Sequence, residues 1–154
     1  MPRGNSFVSV PAGVQWVRAL DLLTGVGMLC LLVFGMILVE PSTISSRARL
    51  GDYVFGVLAA AAPGALLAAG ILLTSWHAAN WCRAMIAQAI AAGGFFVMAG
   101  LMIHFAATDP QGGGPSFFML LFALFLGGIG LFSLGCFACL LTPGVRRAAR
   151  CALP

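Results

Sequence analysis

Residues 117–141 read FFMLLFALFLGGIGLFSLGCFACLL, and this stretch contains no charged side chain. A helix needs roughly 20 apolar residues to cross the hydrocarbon layer of a bilayer, and this stretch is longer than that. Because the apolar effect does not draw helices together in lipid, close packing of small residues has to do so. The stretch therefore predicts a membrane-spanning helix whose small residues face other helices and whose phenylalanines face lipid or a neighbouring subunit.

At 100° per residue, the small and the aromatic residues of this helix fall on nearly opposite stripes. The small stripe consists of Ala123, Gly127, Gly130 and Ala138, and the aromatic stripe consists of Phe118, Phe122, Phe125 and Phe132. In the preceding apolar segment, Gly93 and Gly100 share one face with His104. The predicted packing seam between these two helices consists of Gly93, Gly100, Gly127 and Gly130.

The composition excludes a soluble protein. Of the 154 residues, 61% are hydrophobic and only 8% are charged, whereas a soluble domain carries about 25% charged residues. The net charge of +4 comes from scattered arginines without a basic stripe, so the pattern does not indicate nucleic-acid binding. The five cysteines lie mostly within or beside apolar runs, which argues against a disulfide framework.

Three further apolar segments complete the predicted fold. We expect an all-α, antiparallel bundle of four transmembrane helices that forms a single domain over residues 1–154. The predicted spans cover about residues 17–39, 53–74, 81–106 and 116–142. Short irregular tails are expected at residues 1–16 and 143–154, because Pro2, Pro11 and Pro143 interrupt the helical pattern there.

The arginines predict the orientation of the bundle, since cytoplasmic loops of membrane proteins carry an excess of basic residues. With four spans, six arginines fall on the side of the two termini and two fall on the other side. The first group is Arg3, Arg18, Arg83, Arg146, Arg147 and Arg150, and the second group is Arg47 and Arg49. Both termini are therefore expected on the cytoplasmic side, or on the stromal or matrix side in an organelle.

Asp21 is the only acidic residue inside a predicted span, and such residues are functional candidates by default. Arg18 precedes it by three positions on the same helical face, and Arg83 and Gln88 begin span three on the same side of the membrane. We expect these four residues to form a structural polar cluster. A proton or ion pathway is the alternative, which is disfavoured because no second acid continues it across the bilayer.

His104 is the main candidate for binding a cofactor. It lies one turn from Gly100, which leaves space for a flat ring, and it points into the bundle or at a partner helix. A neutral imidazole at this place could ligate the metal of a haem or a chlorophyll. The alternative is a hydrogen bond to the third loop, for example to Asp109. His77 belongs to the opposite side of the membrane, which disfavours a bis-histidine haem.

The cysteines suggest two weaker hypotheses. Cys136 and Cys139 have the spacing of a metal or redox pair, but they lie inside a span without a second pair nearby. We interpret them as small apolar packing residues and predict no metal site. Cys151 follows the basic cluster of the tail and is a candidate for palmitoylation on the cytoplasmic side.

The expected function is that of a non-catalytic accessory or scaffolding subunit within a larger membrane protein complex. An enzyme is not indicated, because an active site needs convergent polar groups that the spans do not offer. By analogy, the host would be an energy-transducing complex, respiratory or photosynthetic. The expected partners are other integral membrane subunits and membrane lipids. No cofactor is required, and a bound lipid or pigment is compatible with this role. Two alternatives stay open: a free tetraspan protein of internal membranes that acts in trafficking, and an oligomeric channel or carrier.

The arginine distribution generates a testable topology. In a variant without the native cysteines, we expect single cysteines placed at Ser45 and at Arg147 to react with a membrane-impermeant thiol reagent from opposite sides. Reaction of both from the same side would contradict four spans with co-facing termini.

Overall fold

The computed structural model describes residues 10–38, 50–75, 78–108 and 115–151. In these ranges the chain forms five helices: α1 (Ala12–Leu38), α2 (Leu50–Leu72), α3 (Ala78–Thr108), α4 (Pro115–Leu140) and α5 (Pro143–Cys151). Three of them contain stretches that are long and apolar enough to cross a membrane: Ala12–Phe34, Ala79–Thr108 and Phe117–Leu140. The apolar stretch in α2, Gly56–Leu72, is shorter. The only regular secondary structure in these ranges is helical, and the three long apolar helices indicate a membrane protein.

The long helices are arranged in chain order. α3 packs along both α2 and α4, and α2 packs along α1, whereas α1 touches α4 only over a short region. The Trp81 indole N–H donates a hydrogen bond to the Leu140 carbonyl at 3.2 Å, so the beginning of α3 lies beside the end of α4. Further along α3, the Phe96 ring lies against Gly130, which comes earlier in α4. The two helices are therefore antiparallel neighbours, as expected for a short connection.

Two apolar clusters fill the interior. The first, which we call the end cluster, lies where α1 begins and α4 ends, and its buried residues are Val14, Val17, Ala69, Leu73, Ala84, Cys136, Leu140 and Val145. The second, which we call the middle cluster, consists of Ala62, Leu66, Ala91, Phe95, Met98, Ala99 and Leu126. The end of the bundle that contains the end cluster also carries α5, and we call it the α5 end.

Glycine allows the closest approach between α1 and α2. A methyl group built on Gly25 would lie 2.9 Å from the Leu67 backbone nitrogen and 3.1 Å from the Pro63 carbonyl oxygen. On the same pair of helices, Gly70 receives the side chain of Leu22. Close contact between backbones is the main source of attraction for helices in lipid, and these glycines permit it.

The glycine seam between α3 and α4 differs from the expected one. A methyl group on Gly93, Gly100 or Gly127 would meet no described atom within 4 Å. Instead, Gly94 lies against Ala62 of α2, where a methyl group would be 2.9 Å from the Ala62 Cβ. Of the four glycines in the predicted seam, only Gly130 lies against the neighbouring helix, where a methyl group would be 3.3 Å from the Phe96 ring. The reason is helix rotation, because consecutive residues point 100° apart.

Both predicted irregular tails contain helix. α1 begins at Ala12, directly after Pro11, whose carbonyl accepts a hydrogen bond from the Val14 N–H at 2.9 Å. α5 occupies most of the expected C-terminal tail. Its first residue is Pro143, and proline is favourable at the first position of a helix because its missing N–H is not needed there. The proline thus ends α4 and begins another helix. Residues 1–9, 39–49, 76–77, 109–114 and 152–154, which include most of the expected leader and loops, lie outside the described residues.

Two glycines of α1 provide a matched test of this packing. We expect Gly25→Ala to lower the free energy of unfolding by about 1–3 kcal/mol, since the added methyl group would meet the α2 backbone, which cannot yield like a side chain. Gly27→Ala is the control, because a methyl group there meets no described atom within 4 Å. It should be neutral or stabilise the helix by about 0.5–1 kcal/mol. Unfolding in detergent measures both, and equal effects of the two variants would contradict the close approach at Gly25.

Candidate functional site

Three polar side chains meet in the interior of the bundle. Asp21 on α1, Gln88 on α3 and Ser133 on α4 are each fully buried, with 0% of their surface exposed. The Gln88 side-chain amide donates through Nε2 to Asp21 Oδ2 at 2.6 Å. The Ser133 hydroxyl donates to Gln88 Oε1 at 2.7 Å. One amide therefore joins a carboxyl group and a hydroxyl group from two other helices, and we call this set the polar layer.

The polar layer separates the two apolar clusters. Along α1, Asp21 follows Val14 and Val17 of the end cluster and precedes Met28, which packs against the middle cluster. Along α3, Gln88 stands between Ala84 of the end cluster and Ala91 of the middle cluster. The three polar side chains thus lie at one depth, enclosed by apolar residues on both sides, where hydrogen bonds are strong and an unpaired polar atom is costly.

One atom of the polar layer has no partner. Asp21 Oδ1 is buried and makes no hydrogen bond within the part of the chain that the structure describes. The hydrogen bonds that join the three side chains can run in either donor-to-acceptor direction, since an amide both donates and accepts. As placed, Gln88 donates to the carboxylate and accepts from Ser133. With its amide turned over, it would accept from a neutral carboxyl group and donate to Ser133.

Gln88 is the partner of Asp21, and the two arginines of the predicted polar cluster are elsewhere. The side chains of Arg18 and Arg83 are exposed, while Asp21 is fully buried. Arg18 lines a surface depression together with Gln15 and Leu22. A long arginine side chain can extend so that its charged group stays in water. Arg18 is therefore exposed, although it lies only one turn from the buried Asp21.

The predicted polar cluster does not include Ser133, although the sequence contains a signal for it. It is the only hydroxyl-bearing residue in the apolar stretch of α4. In lipid, a lone serine tends to hydrogen-bond across to a neighbouring helix. It also lies three residues before Cys136, which is buried on the same face of α4.

His104 lies on the exposed face of α3, close to the end of that helix. Its ring centroid is 6.2 Å from that of Phe105. This placement does not fit ligation of a haem or chlorophyll inside the bundle, since His104 is exposed, as are Gly93 and Gly100 on the same face of α3. Ligation toward a partner helix stays a prediction. His77 lies outside the described residues.

The cysteines do not form a site among the described side chains. Cys136 is buried in the end cluster, whereas Cys139 is exposed, and both are free thiols. No group of three or more potential metal ligands occurs among the described residues. The side chain of Cys151, the predicted palmitoylation site, lies outside the described part of the chain.

An apolar crevice separates α1 from α4 where their contact is weak. Its volume is about 530 Å³. Residues that line it include Thr24, Met28 and Leu31 on α1, and Leu124, Phe125 and Phe132 on α4. Phe118, Phe122, Phe125 and Phe132, the aromatic stripe of the sequence, are all exposed. Phe122 and Phe125 stack with centroids 6.2 Å apart. The outward stripe and the crevice together form an aromatic surface on one side of α4.

Compared with known protein families, curated proteins and solved structures, the chain shows no match.

The polar layer predicts a strong energetic coupling between Asp21 and Gln88. Gln88→Leu removes the only described hydrogen-bond partner of the buried carboxyl group and should cost about 3 kcal/mol of unfolding free energy, because an unpaired carboxyl group costs more than an unpaired amide. Asp21→Leu leaves only a neutral amide unpaired and should cost about 1–3 kcal/mol. Asp21→Asn keeps an oxygen that can accept from Gln88, so it should be milder than Asp21→Leu.

The double variant decides whether these costs come from the hydrogen bond. Asp21→Leu combined with Gln88→Leu should cost less than the sum of the single changes, because no polar atom of the pair is then left alone. Thr24→Ala, one turn further along α1 and only half-buried, serves as the control and should stay within about 0.5 kcal/mol. Strictly additive costs for Asp21 and Gln88 would contradict the coupling.

Proposed function

We propose that the chain is an integral membrane protein with four spans, with α2 as the fourth. α2 has 23 residues, and a helix of that length extends about 34 Å, enough for a hydrocarbon layer about 30 Å thick. Its position between α1 and α3 also supports this assignment, since a helix packed along two membrane spans shares their environment. The helices then alternate in direction, and both ends of the chain lie on one side.

We infer that this side is cytoplasmic, or its equivalent in an organelle. The five described arginines, Arg18, Arg83, Arg146, Arg147 and Arg150, belong to the α5 end and have exposed side chains. Trp16 and Trp81 are found at the same end, which suits the interfacial position that tryptophan favours. Arg47 and Arg49, the two arginines assigned to the other side, lie outside the described residues.

Within the membrane, we propose that the chain acts as a non-catalytic accessory subunit of a larger membrane protein complex. The observation that carries this proposal is the outward apolar surface. Only 17% of the apolar window in α1 and 22% of that in α4 are buried within the chain. Most of both helices is therefore left to lipid or to other subunits, and the aromatic surface beside the crevice offers a shaped place for a partner helix.

The interior supports the same proposal. Its buried polar side chains, Asp21, Gln88 and Ser133, bond to one another and lie between two apolar clusters. Apart from Asp21 Oδ1, the polar atoms of this layer pair with one another. Such paired groups stabilise helix packing, whereas catalysis needs polar groups that converge on a substrate. By analogy, an energy-transducing complex is the host we favour, since such complexes recruit small hydrophobic subunits.

Purification from the native membrane tests the accessory role. We expect a tagged chain, extracted in mild detergent, to migrate with other integral membrane proteins in fixed stoichiometry. Phe125→Ala together with Phe132→Ala should reduce this association about tenfold or more, because both rings line the crevice and aromatic residues carry much of the binding energy of an interface. Phe117→Ala is the matched control, since that ring is on the same helix and 67% exposed but does not line the crevice.

Two outcomes would contradict the proposal. A chain that migrates alone would favour the free tetraspan alternative, and a chain that migrates only with copies of itself would favour an oligomeric channel or carrier. Equal association of the crevice variant and the Phe117→Ala control would show that the aromatic surface is not the docking surface.

A further inference from the structure

We propose that α5 carries a binding site for the phosphate of an anionic phospholipid, formed by Arg146, Arg147 and Arg150. The proposal needs the chain to lie in a membrane, but it does not depend on an accessory role in a complex. Together with Leu141 and Pro143, the three arginines line a surface depression of about 200 Å³. This depression lies where the last long apolar helix gives way to a short basic one.

The packing of α5 directs its arginines outward. Val145 and Ala149, four residues apart on one face, are buried, and Val145 belongs to the end cluster. The three arginines of the helix are exposed. The Arg146 N–H donates to the Thr142 carbonyl at 3.0 Å, which closes the first turn of α5 directly after the end of α4. The basic face is thus fixed against the bundle by its apolar face.

No described acid neutralises these arginines. Asp21 is the only acidic residue whose side chain the structure describes, and it is fully buried in the polar layer. The sequence from residue 110 to residue 154 contains no aspartate or glutamate. Guanidinium groups pair with phosphate through two parallel hydrogen bonds, which makes clustered arginines well suited to phosphate oxygens.

Two features favour a lipid phosphate over a free anion. α5 follows the apolar stretch of α4 after only Leu141 and Thr142. With α4 in a membrane, its arginines would therefore lie at the depth of the lipid headgroups. The depression also has apolar walls from Leu141 and Pro143, beside which the glycerol and upper acyl chain of a lipid could pack. Basic residues next to a membrane span attract anionic lipids, and this attraction corresponds to roughly fivefold in affinity for each arginine.

Native mass spectrometry of the purified, full-length chain in neutral detergent tests the site. The probes are phosphatidylglycerol, phosphatidylcholine and inorganic phosphate, each added at a series of concentrations. We expect the chain to retain phosphatidylglycerol in preference to phosphatidylcholine. The triple variant R146Q/R147Q/R150Q should lose this preference, with a fall in affinity of about 100-fold.

Arg18→Gln combined with Arg83→Gln is the matched control, since these arginines are exposed at the same end but do not line the depression. It should keep the preference for phosphatidylglycerol. If the triple variant does not fold, the single variants Arg146→Gln and Arg150→Gln should each weaken binding about fivefold.

Competition by millimolar inorganic phosphate would identify a free-anion site and overturn the proposal. Equal losses in the control and in the α5 variants would show a general charge effect and would also overturn it. Because the experiment uses the isolated chain, a failure to bind the lipid can be told apart from a failure to join a complex.

Discussion

The amide of Gln88 makes hydrogen bonds to side chains from two other helices at once. It donates to Asp21 on α1 and accepts from Ser133 on α4, and all three side chains are fully buried. In a membrane, where polar atoms find little water, sliding or rotating one of these helices would leave several polar atoms unpaired. The bonds therefore specify the relative depth and rotation of α1, α3 and α4, and the two apolar clusters pack on either side of this layer.

With the register specified in this way, small residues determine how closely the helices approach. Gly25 brings α1 against the α2 backbone, and Gly94 brings α3 against Ala62. Gly93 is adjacent to Gly94 in sequence but faces open space. Its side-chain position is rotated by about 100° around the helix axis from that of Gly94. Small residues on a membrane helix thus have two different surroundings, and only those on the packed side contribute to helix contact.

The chemistry available to other molecules is at the surface. The buried polar groups largely satisfy one another, whereas the outward side of α4 presents phenylalanines beside an apolar crevice, and α5 presents three arginines. The two surfaces differ in kind. The first suits another apolar helix in the membrane, and the second suits a negatively charged group at the membrane boundary. Both uses are compatible, because they occupy different parts of the molecule.

The sequence by itself determined the helical class and the apolar helices, because the length and hydrophobicity of a segment are local properties. It also placed Asp21 near Gln88 and the phenylalanine stripe of α4 on the outside. Only the tertiary structure decided that Ser133 completes the polar layer, that Gly94 rather than Gly93 is at a helix contact, and that His104 faces away from the interior. These outcomes depend on helix rotation, which the neighbouring helices set and which a repeat pattern along one helix does not specify. The helix that begins at Pro143 depends on both the sequence and the tertiary structure. Proline ends one helix and favours the start of the next. The packing of Val145 in the end cluster favours the formation of the second helix.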